Sequence, residues 1–336
     1  MSVRRRHFST SVAALGAALA WPYGQAQAQA ATQAAAQAWP IKPVKIIVPY
    51  PPGGFTDVTA RLMAQKLQER FGQPFIVDNK PGANSVIGVD ALAKSPADGY
   101  TLAVVIAAYA ANTSLYPKLP YDPAKDIAAV SLIGLSPLVA AVSNDAPFKS
   151  AAELVAFARS NPGKVSFGSS GNGSAAHLST ELLKALTGSY MVHIPYRGAA
   201  PALTDLMGGQ IHLFLDAASG LINPGKSGRV RLIGVASDKR LPALPDVPTF
   251  IEQGVKGFTG STWAGLLAPA GTPAEIIKKV ADEVALIVRT DDIRLKLEAM
   301  GTLPVGSTAA EFTSFIASET AKWGQVIRTA KVQIDA

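Results

Sequence analysis

Apolar and polar positions along this chain follow two rhythms. Residues 44–48, Val-Lys-Ile-Ile-Val, make a short β-branched run of the kind that builds a buried strand. Beyond it Val58, Leu62, Leu67 and Phe71 recur at helical spacing, with Arg61, Lys66 and Glu69 between them, which predicts an amphipathic helix. The alternation continues with strands at 75–77 and 100–106 and a short helix at 86–93. A second series follows the apolar run 128–133. Strands at 138–142, 165–167, 191–194, 211–215 and 230–235 alternate there with helices at 151–160, 175–186 and 199–207. After a last apolar run at 261–267, three helices are predicted, at 273–289, 293–300 and 309–328. Repeated strand and helix is the pattern of an open, mainly parallel α/β sheet. Three helices with no strand between them cannot build a sheet of their own. They are expected to pack back onto the first domain, which is then discontinuous.

Composition adds to this picture. A chain of 336 residues has room for two domains, and 48% hydrophobic with 16% charged residues describes a globular protein. There are 0 cysteines, which excludes disulfides, thiol nucleophiles and cysteine-held metals. Arg4-Arg5-Arg6, the apolar stretch 11–20 and an Ala/Gln-rich segment to 38 with sites such as Ala28-Gln29-Ala30 form a secretory signal. Arg5-Arg6-His7-Phe8 also resembles a twin-arginine export signal. No later segment reaches about 18 uninterrupted apolar residues, so the mature protein is expected to be soluble and periplasmic. The net charge of +7 includes those three arginines, leaving 7 − 3 = +4 beyond Ala30. The remaining cations are scattered among acids without a basic stripe, which argues against nucleic acid and suits an anionic small molecule.

Three glycine-rich stretches invite a chemical reading. Gly220-Leu221-Ile222-Asn223-Pro224-Gly225-Lys226-Ser227 fits the phosphate-loop pattern by letter. Its context is wrong, however: a β-branched strand, not a helix, follows Ser227, and Pro224 removes a donor. The reading that fits is a helix end and a turn before a strand. Gly53-Gly54-Phe55-Thr56-Asp57 and Gly168-Ser169-Ser170-Gly171-Asn172-Gly173-Ser174 do have the right setting, since each follows a strand and opens a helix. Glycines let backbone N–H groups approach an anion, and a helix start supplies partial positive charge. Gly54 and Gly173 are therefore expected to reject a β-branched side chain, which would obstruct either a close approach or a positive φ. The alternative is a pair of tight turns capped by Thr56 or Asp57 and by Ser174. Asp57 either orders its loop or accepts a hydrogen bond from a ligand. No G-x-S-x-G elbow is present, and His177, His193 and His212 lack metal-ligand spacing. His193 and His212 are expected to be buried structural residues. His177, in a first helical turn, either faces a ligand or does not. No cofactor or metal is expected.

Pro49-Tyr50-Pro51-Pro52-Gly53-Gly54-Phe55-Thr56-Asp57 with Ala60-Arg61, Asp78-Asn79-Lys80-Pro81-Gly82-Ala83, Asp98-Gly99-Tyr100-Thr101-Leu102, the run 115–123, the second glycine loop with His177-Leu178, and Pro195-Tyr196-Arg197-Gly198 occur in that order. Together they resemble the substrate-binding receptors of tripartite tricarboxylate transporters, the Bug-type receptors, from about Trp39 to the C-terminus. The resemblance implies a type II periplasmic-binding-protein fold. Two α/β lobes, 39–135 plus 262–336 and 136–261, would be joined by crossover strands near 133–137 and 261–267 with a ligand cleft between them. It implies a site built from Gly54, Phe55, Thr56, Asp57, Asn84, Ser85, Tyr109, Ser169, Ser170, Gly171, Gly173, Ser174, His177, Arg197 and Asp216. It also implies a monomeric receptor serving membrane permease subunits. Residues 107–112, Ala-Ala-Tyr-Ala-Ala-Asn, depart from the small polar, His-containing segment common in such receptors. The ligand class therefore stays open among di- and tricarboxylates, acidic amino acids and aromatic acids. The competing reading is an exported enzyme acting on small carboxylates in the same cleft, which would not return its ligand unchanged.

Overall fold

Residues 38–333 are described by the computed structural model; the segment expected to be an export leader, with Arg4, Arg5 and Arg6, lies outside them. The first strand, β1 (Val44–Val48), buries every side chain but Lys45. Helix α1 (Phe55–Phe71) lays Ala60, Met63, Ala64 and Leu67 inward and stops at Gly72, whose φ of 69° is a left-handed C-cap. Then come β2 (Phe75–Asn79), a 3-10 turn at Ala83–Ser85, α2 (Val86–Ala93), β3 (Thr101–Val105) and α3 (Ala108–Leu115). The long strand β4 (Ile127–Val142) leads into α4 (Ala151–Ser160), β5 (Ser166–Ser169), α5 (Ala175–Thr187), β6 (Val192–Pro195), α6 (Ala199–Met207), β7 (Leu213–Ala217), α7 (Ala218–Lys226) and β8 (Arg231–Val235). The chain closes with β9 (Ser261–Pro269), α8 (Ala274–Ile287), α9 (Asp291–Ala299), β10 (Leu303–Pro304) and α10 (Ala309–Ala330).

The strands are ordered β2-β1-β3-β9-β4-β7-β5-β6, with β8 and β10 also paired to β4. Pairing is parallel at the flanks, where β1 joins β2 and β3 and β5 joins β6 and β7. In the centre it is antiparallel, because β4 and β9 run against each other and against their neighbours. The expectation of a mainly parallel sheet thus holds only at the flanks; alternation of strand and helix carries no information about a strand that crosses back. The runs expected at 128–133 and 138–142 are one 16-residue strand. It changes partner between Pro137, paired with Ser261 of β9, and Leu138, paired with Ala217 of β7.

Apolar packing is divided at the same place. One cluster draws on Leu138 to Phe258 and includes Phe148, Phe167, Phe214 and Phe250. Another combines Ile47, Val89, Val105 and Leu132 with Trp263, Leu267 and Phe312. The C-terminal helices return to the early elements: α8 packs on α1 and β4, and α10 on α3 and β4. The Trp263 and Trp323 indole N–H groups both donate to Glu319 Oε2, at 3.2 and 2.9 Å, so the buried carboxylate ties α10 to β9. A third cluster, Ala111, Leu115, Leu178, Trp323 and Ile327, joins α3 and α10 to α5.

The phosphate-loop look-alike resolves as a helix end. Gly220 to Lys226 lie within α7, and Gly228 with φ of 69° turns the chain toward β8. Lys226 and Ser227 stand at a helix C-terminus, where carbonyl groups would repel a phosphate.

Candidate functional site

The first glycine loop joins β1 to α1. Its N-cap, Gly54, offers no side chain to the helix start. Among the described residues the amides of Phe55, Thr56 and Asp57 have no hydrogen-bond partner; they are the donors a helix leaves unsatisfied at its N-terminus. Asp57 is almost wholly buried and fully engaged. Its Oδ2 accepts from the Gly53 amide at 2.9 Å and from Arg61 Nε at 3.0 Å, and its Oδ1 accepts from Asn79 Nδ2 at 2.9 Å. Burial works to raise its pKa, but the bonds from Arg61, Gly53 and Asn79 prevail and hold it below the usual carboxylate value. Of the two roles open to Asp57, the structure displays loop ordering. Gly54 has φ −82° and ψ 174°, and a Cβ built there would meet nothing within 4 Å. Of the two grounds expected for glycine here, a positive φ is therefore excluded, and the close approach of a ligand is the one that remains.

The second glycine loop, between β5 and α5, is propped from below. Ser169 Oγ accepts from the Gly171 amide at 3.2 Å, donates toward the Gly171 carbonyl at 3.1 Å and lies 2.6 Å from His193 Nε2. The Gly173 amide donates to His177 Nδ1 at 3.0 Å, and Ser174 caps α5 by accepting from the His177 amide at 3.3 Å. His177 is thus turned toward the loop's own backbone. Burial, followed by the neighbouring His193 and Lys184, lowers the His177 pKa to about 3; burial and Lys184 lower that of His193 to about 4. His212, expected to be structural, accepts from the Ser166 amide at 3.1 Å. Among the described residues the amides of Ser170, Asn172, Ala175 and Ala176 have no partner.

Asn84 brings the early elements to this loop. A Cβ on Gly173 would stand 3.2 Å from Asn84 Nδ2 and would collide with Leu115. Asn84 sits in an unusual turn, since Ala83, Asn84 and Ser85 have φ of 45°, 50° and 83° in succession. Left-handed backbone costs a non-glycine residue about 1–2 kcal/mol, and such strain persists where surroundings over-determine it. Here the buried Asn112 does so. Its Oδ1 accepts from Asn84 Nδ2 at 3.0 Å, while its Nδ2 donates to the Asn84 carbonyl at 2.8 Å and to Ser85 Oγ at 3.3 Å.

Three predicted residues remain. Register places Ser169 beside Pro195 and Gly168 beside Phe214, so Tyr196-Arg197 and Asp216 emerge with Ser170 at the carboxyl ends of adjacent strands, the usual ligand edge of an α/β sheet. Arg197 is exposed and, among the described residues, has no hydrogen bond or ion pair. Burial pushes Asp216 up to about 7, with only the Ala217 amide opposing it. Asp216 Oδ2 also accounts for Gly220, where a Cβ would approach it to 2.7 Å. Tyr109 is buried in the cluster with Val105 and Trp263, and burial raises its hydroxyl pKa. Two surface hollows, of about 420 and 400 Å³, touch neither loop. Sequence reasoning left Arg61, Asn79, Asn112 and His193 outside the site. Arg61 had a signal, the i, i+4 spacing from Asp57; Asn112 had only its polarity in an apolar helix.

Residues 59–332 match the sequence profile of the tripartite tricarboxylate transporter family receptors. The chain is 38% identical over 305 residues to the protein BugT of Bordetella pertussis, covering 90% of this chain and 94% of that one. Among solved structures, it resembles an R. palustris protein solved with adipate at 37% identity and a TM-score of 0.84, covering 88% of this chain and 99% of that one. MatC from Rhodopseudomonas palustris, solved with bound malate, is 30% identical with a TM-score of 0.79, covering 86% of this chain and 100% of that one.

Proposed function

We propose, because the chain belongs to the tripartite tricarboxylate transporter receptor family, that it captures a small organic carboxylate in the periplasm and delivers it to membrane permease subunits. The observation that carries this reading is the pair of glycine loops. Both leave backbone N–H groups unpaired at a helix start while spending their side chains on ordering themselves. Anions favour such helix starts. One lobe ends near residue 135 and resumes near 262; the split of the apolar clusters and the partner change along β4 support that division. The protein acts as a monomer and returns its ligand unchanged.

Asp216 and Arg197 point to a ligand with two polar ends. A carboxyl group titrating near neutrality serves as donor or acceptor, and Arg197 offers a free guanidinium to a second anionic group. Relatives solved with adipate and malate hold dicarboxylates, and a dicarboxylate is the class favoured here. A thermal-shift panel of dicarboxylates, tricarboxylates, acidic amino acids and aromatic acids tests the reading. The best ligand at about 100 times its Kd should add roughly 2.7 kcal/mol of stability and be recovered chemically intact. No response to any acid, or turnover of one, would overturn it.

A further inference from the structure

The His177 and His193 rings lie face to face, centroids 3.8 Å apart and 14° from parallel, and Phe167 stacks on His193 at 4.8 Å. One ring holds the Gly173 amide directly; the other reaches Gly171 through Ser169. Gly171 and Gly173 have φ of 132° and 75°, conformations that glycine enters and leaves easily. Between and beside them stand the unpaired amides of Ser170 and Asn172. Fixing Gly171 and Gly173 therefore fixes the direction in which those donors point. We infer that His177 and His193 are positioning residues for the second anion loop, His177 acting through Nδ1 and His193 through Nε2. The inference rests on the carboxylate reading above, and it adds which atoms hold the loop's geometry.

The hydrogen-bond inventory assigns the tautomers. Because an amide can only donate, His177 Nδ1 must be unprotonated, and its proton sits on Nε2, 3.9 Å from Glu181 Oε1. Glu181 is itself held by Lys184 at 2.7 Å. Ser169 Oγ has one proton. If that proton goes to the Gly171 carbonyl, Oγ accepts from both the Gly171 amide and a His193 Nε2–H, and every group is used. A packing role would need only the ring area; a positioning role needs these particular nitrogens.

Amide side chains separate the two. Asn places its carbonyl oxygen near the position of a histidine Nδ1, and Gln places its terminal group near that of Nε2. The test compares His177→Asn, His177→Leu, His193→Gln and His193→Leu, by hydrogen exchange at the Gly171 and Gly173 amides and by calorimetric titration with malate and adipate. His177→Leu should lose protection at Gly173, and His193→Leu at Gly171, each weakening binding by about tenfold or more. His177→Asn and His193→Gln should retain protection and bind within about threefold of the parent. Leucine variants that keep both protection and affinity would overturn the inference, as would amide variants that fail as badly as the leucines. Where His193→Leu does not fold, Ser169→Ala removes the hydroxyl through which His193 reaches the Gly171 amide and carbonyl and should weaken binding by a similar factor; unchanged protection at Gly171 with unchanged affinity would overturn the role of His193. Exchange in the ligand-free protein judges the pair even if the parent binds neither acid, an outcome that would count against the carboxylate reading alone.

Discussion

The two glycine loops share one device, a side chain of the following helix bonded to the glycine amide four residues back, but differ in its charge and in what surrounds it. The first is held from its own helix: Asp57 reaches back four residues to the Gly53 amide, with Arg61 and Asn79 fixing the carboxylate, and the space around Gly53 and Gly54 is empty. The second has the same four-residue bond from its own helix, His177 to the Gly173 amide, and is held from neighbouring elements as well. His193 on β6 and His177 on α5 support it, while Leu115 and Asn84 crowd Gly173 from the other side. A charged clamp survives neighbouring changes as long as its ion pair is intact. A loop wedged among rings and backbone depends on each neighbour. Gly53 and Gly173 hold the same place before their helices, with φ of 86° and 75°, yet only the second is crowded, so they are not equivalent sites.

Gly173→Val should produce the largest effect. The position has φ of 75°, and a β-branched residue there is strained by at least about 1–2 kcal/mol. Its Cβ would also collide with Leu115, part of the cluster that joins α3 and α10 to α5. A loss of about 2–4 kcal/mol in stability, seen as a lower midpoint by circular dichroism, should accompany at least a hundredfold loss of affinity. A Gly173→Val protein with the parent's midpoint and affinity would remove the crowding from the comparison.

Acid should separate the loops next. His177 and His193 have folded-state pKa values lowered to about 3 and about 4, against about 6.5 in an exposed chain. A depressed histidine stabilises the closed loop above 6.5, and this contribution is lost progressively as pH falls toward the folded values. At pH 5, opening that exposes either ring is favoured by roughly 30-fold relative to neutral pH. Of the charged groups facing the pair, Lys184 lowers both values and is itself held by Glu181 at 2.7 Å. Asp57 has the same sign but a lower window: its folded pKa lies below the ordinary carboxylate value, so its contribution is lost only at lower pH than that of the histidines. Hydrogen exchange at pH 7 and pH 5, corrected for intrinsic rates, should show Gly173 losing protection by at least about tenfold and Gly53 changing little. Equal losses at both amides would contradict this assignment of supports.

Much of this contrast was hidden in the sequence. The strands and amphipathic helices were legible because burial imposes periods of two and 3.6. Both loops showed as glycine runs between such elements. Partner identity was not legible: nothing near Gly173 announces Leu115 or Asn84, which arrive from α3 and the strained turn before α2. The joining of 128–133 and 138–142 into one strand was obscured by Ser136 and Pro137, which usually punctuate a chain. His193 looked like a core residue of its strand, and only its 2.6 Å approach to Ser169 gives it a task.

Gly54→Ala should have the smallest effect and bears most directly on the first loop. Gly54 already has the extended backbone that any residue adopts, and no atom lies within 4 Å of the methyl position. Alanine should therefore leave the fold unstrained and, by reducing the freedom of the unfolded chain, raise stability by at most about 0.4–1 kcal/mol, less what alanine loses against glycine at an N-cap. Affinity should move the other way. If an anion reaches the free amides of Phe55 and Thr56, the methyl group intrudes on its approach, and the Kd should rise by about tenfold. A higher melting midpoint together with weaker binding would identify the space above Gly54 as room kept for a ligand. An unchanged Kd for adipate and malate would mean that no ligand comes against this face, and the two-loop grip would be wrong in its first half. Lower stability would mean instead that the protein fills that space itself, and the contrast between an open loop and a wedged one would no longer stand.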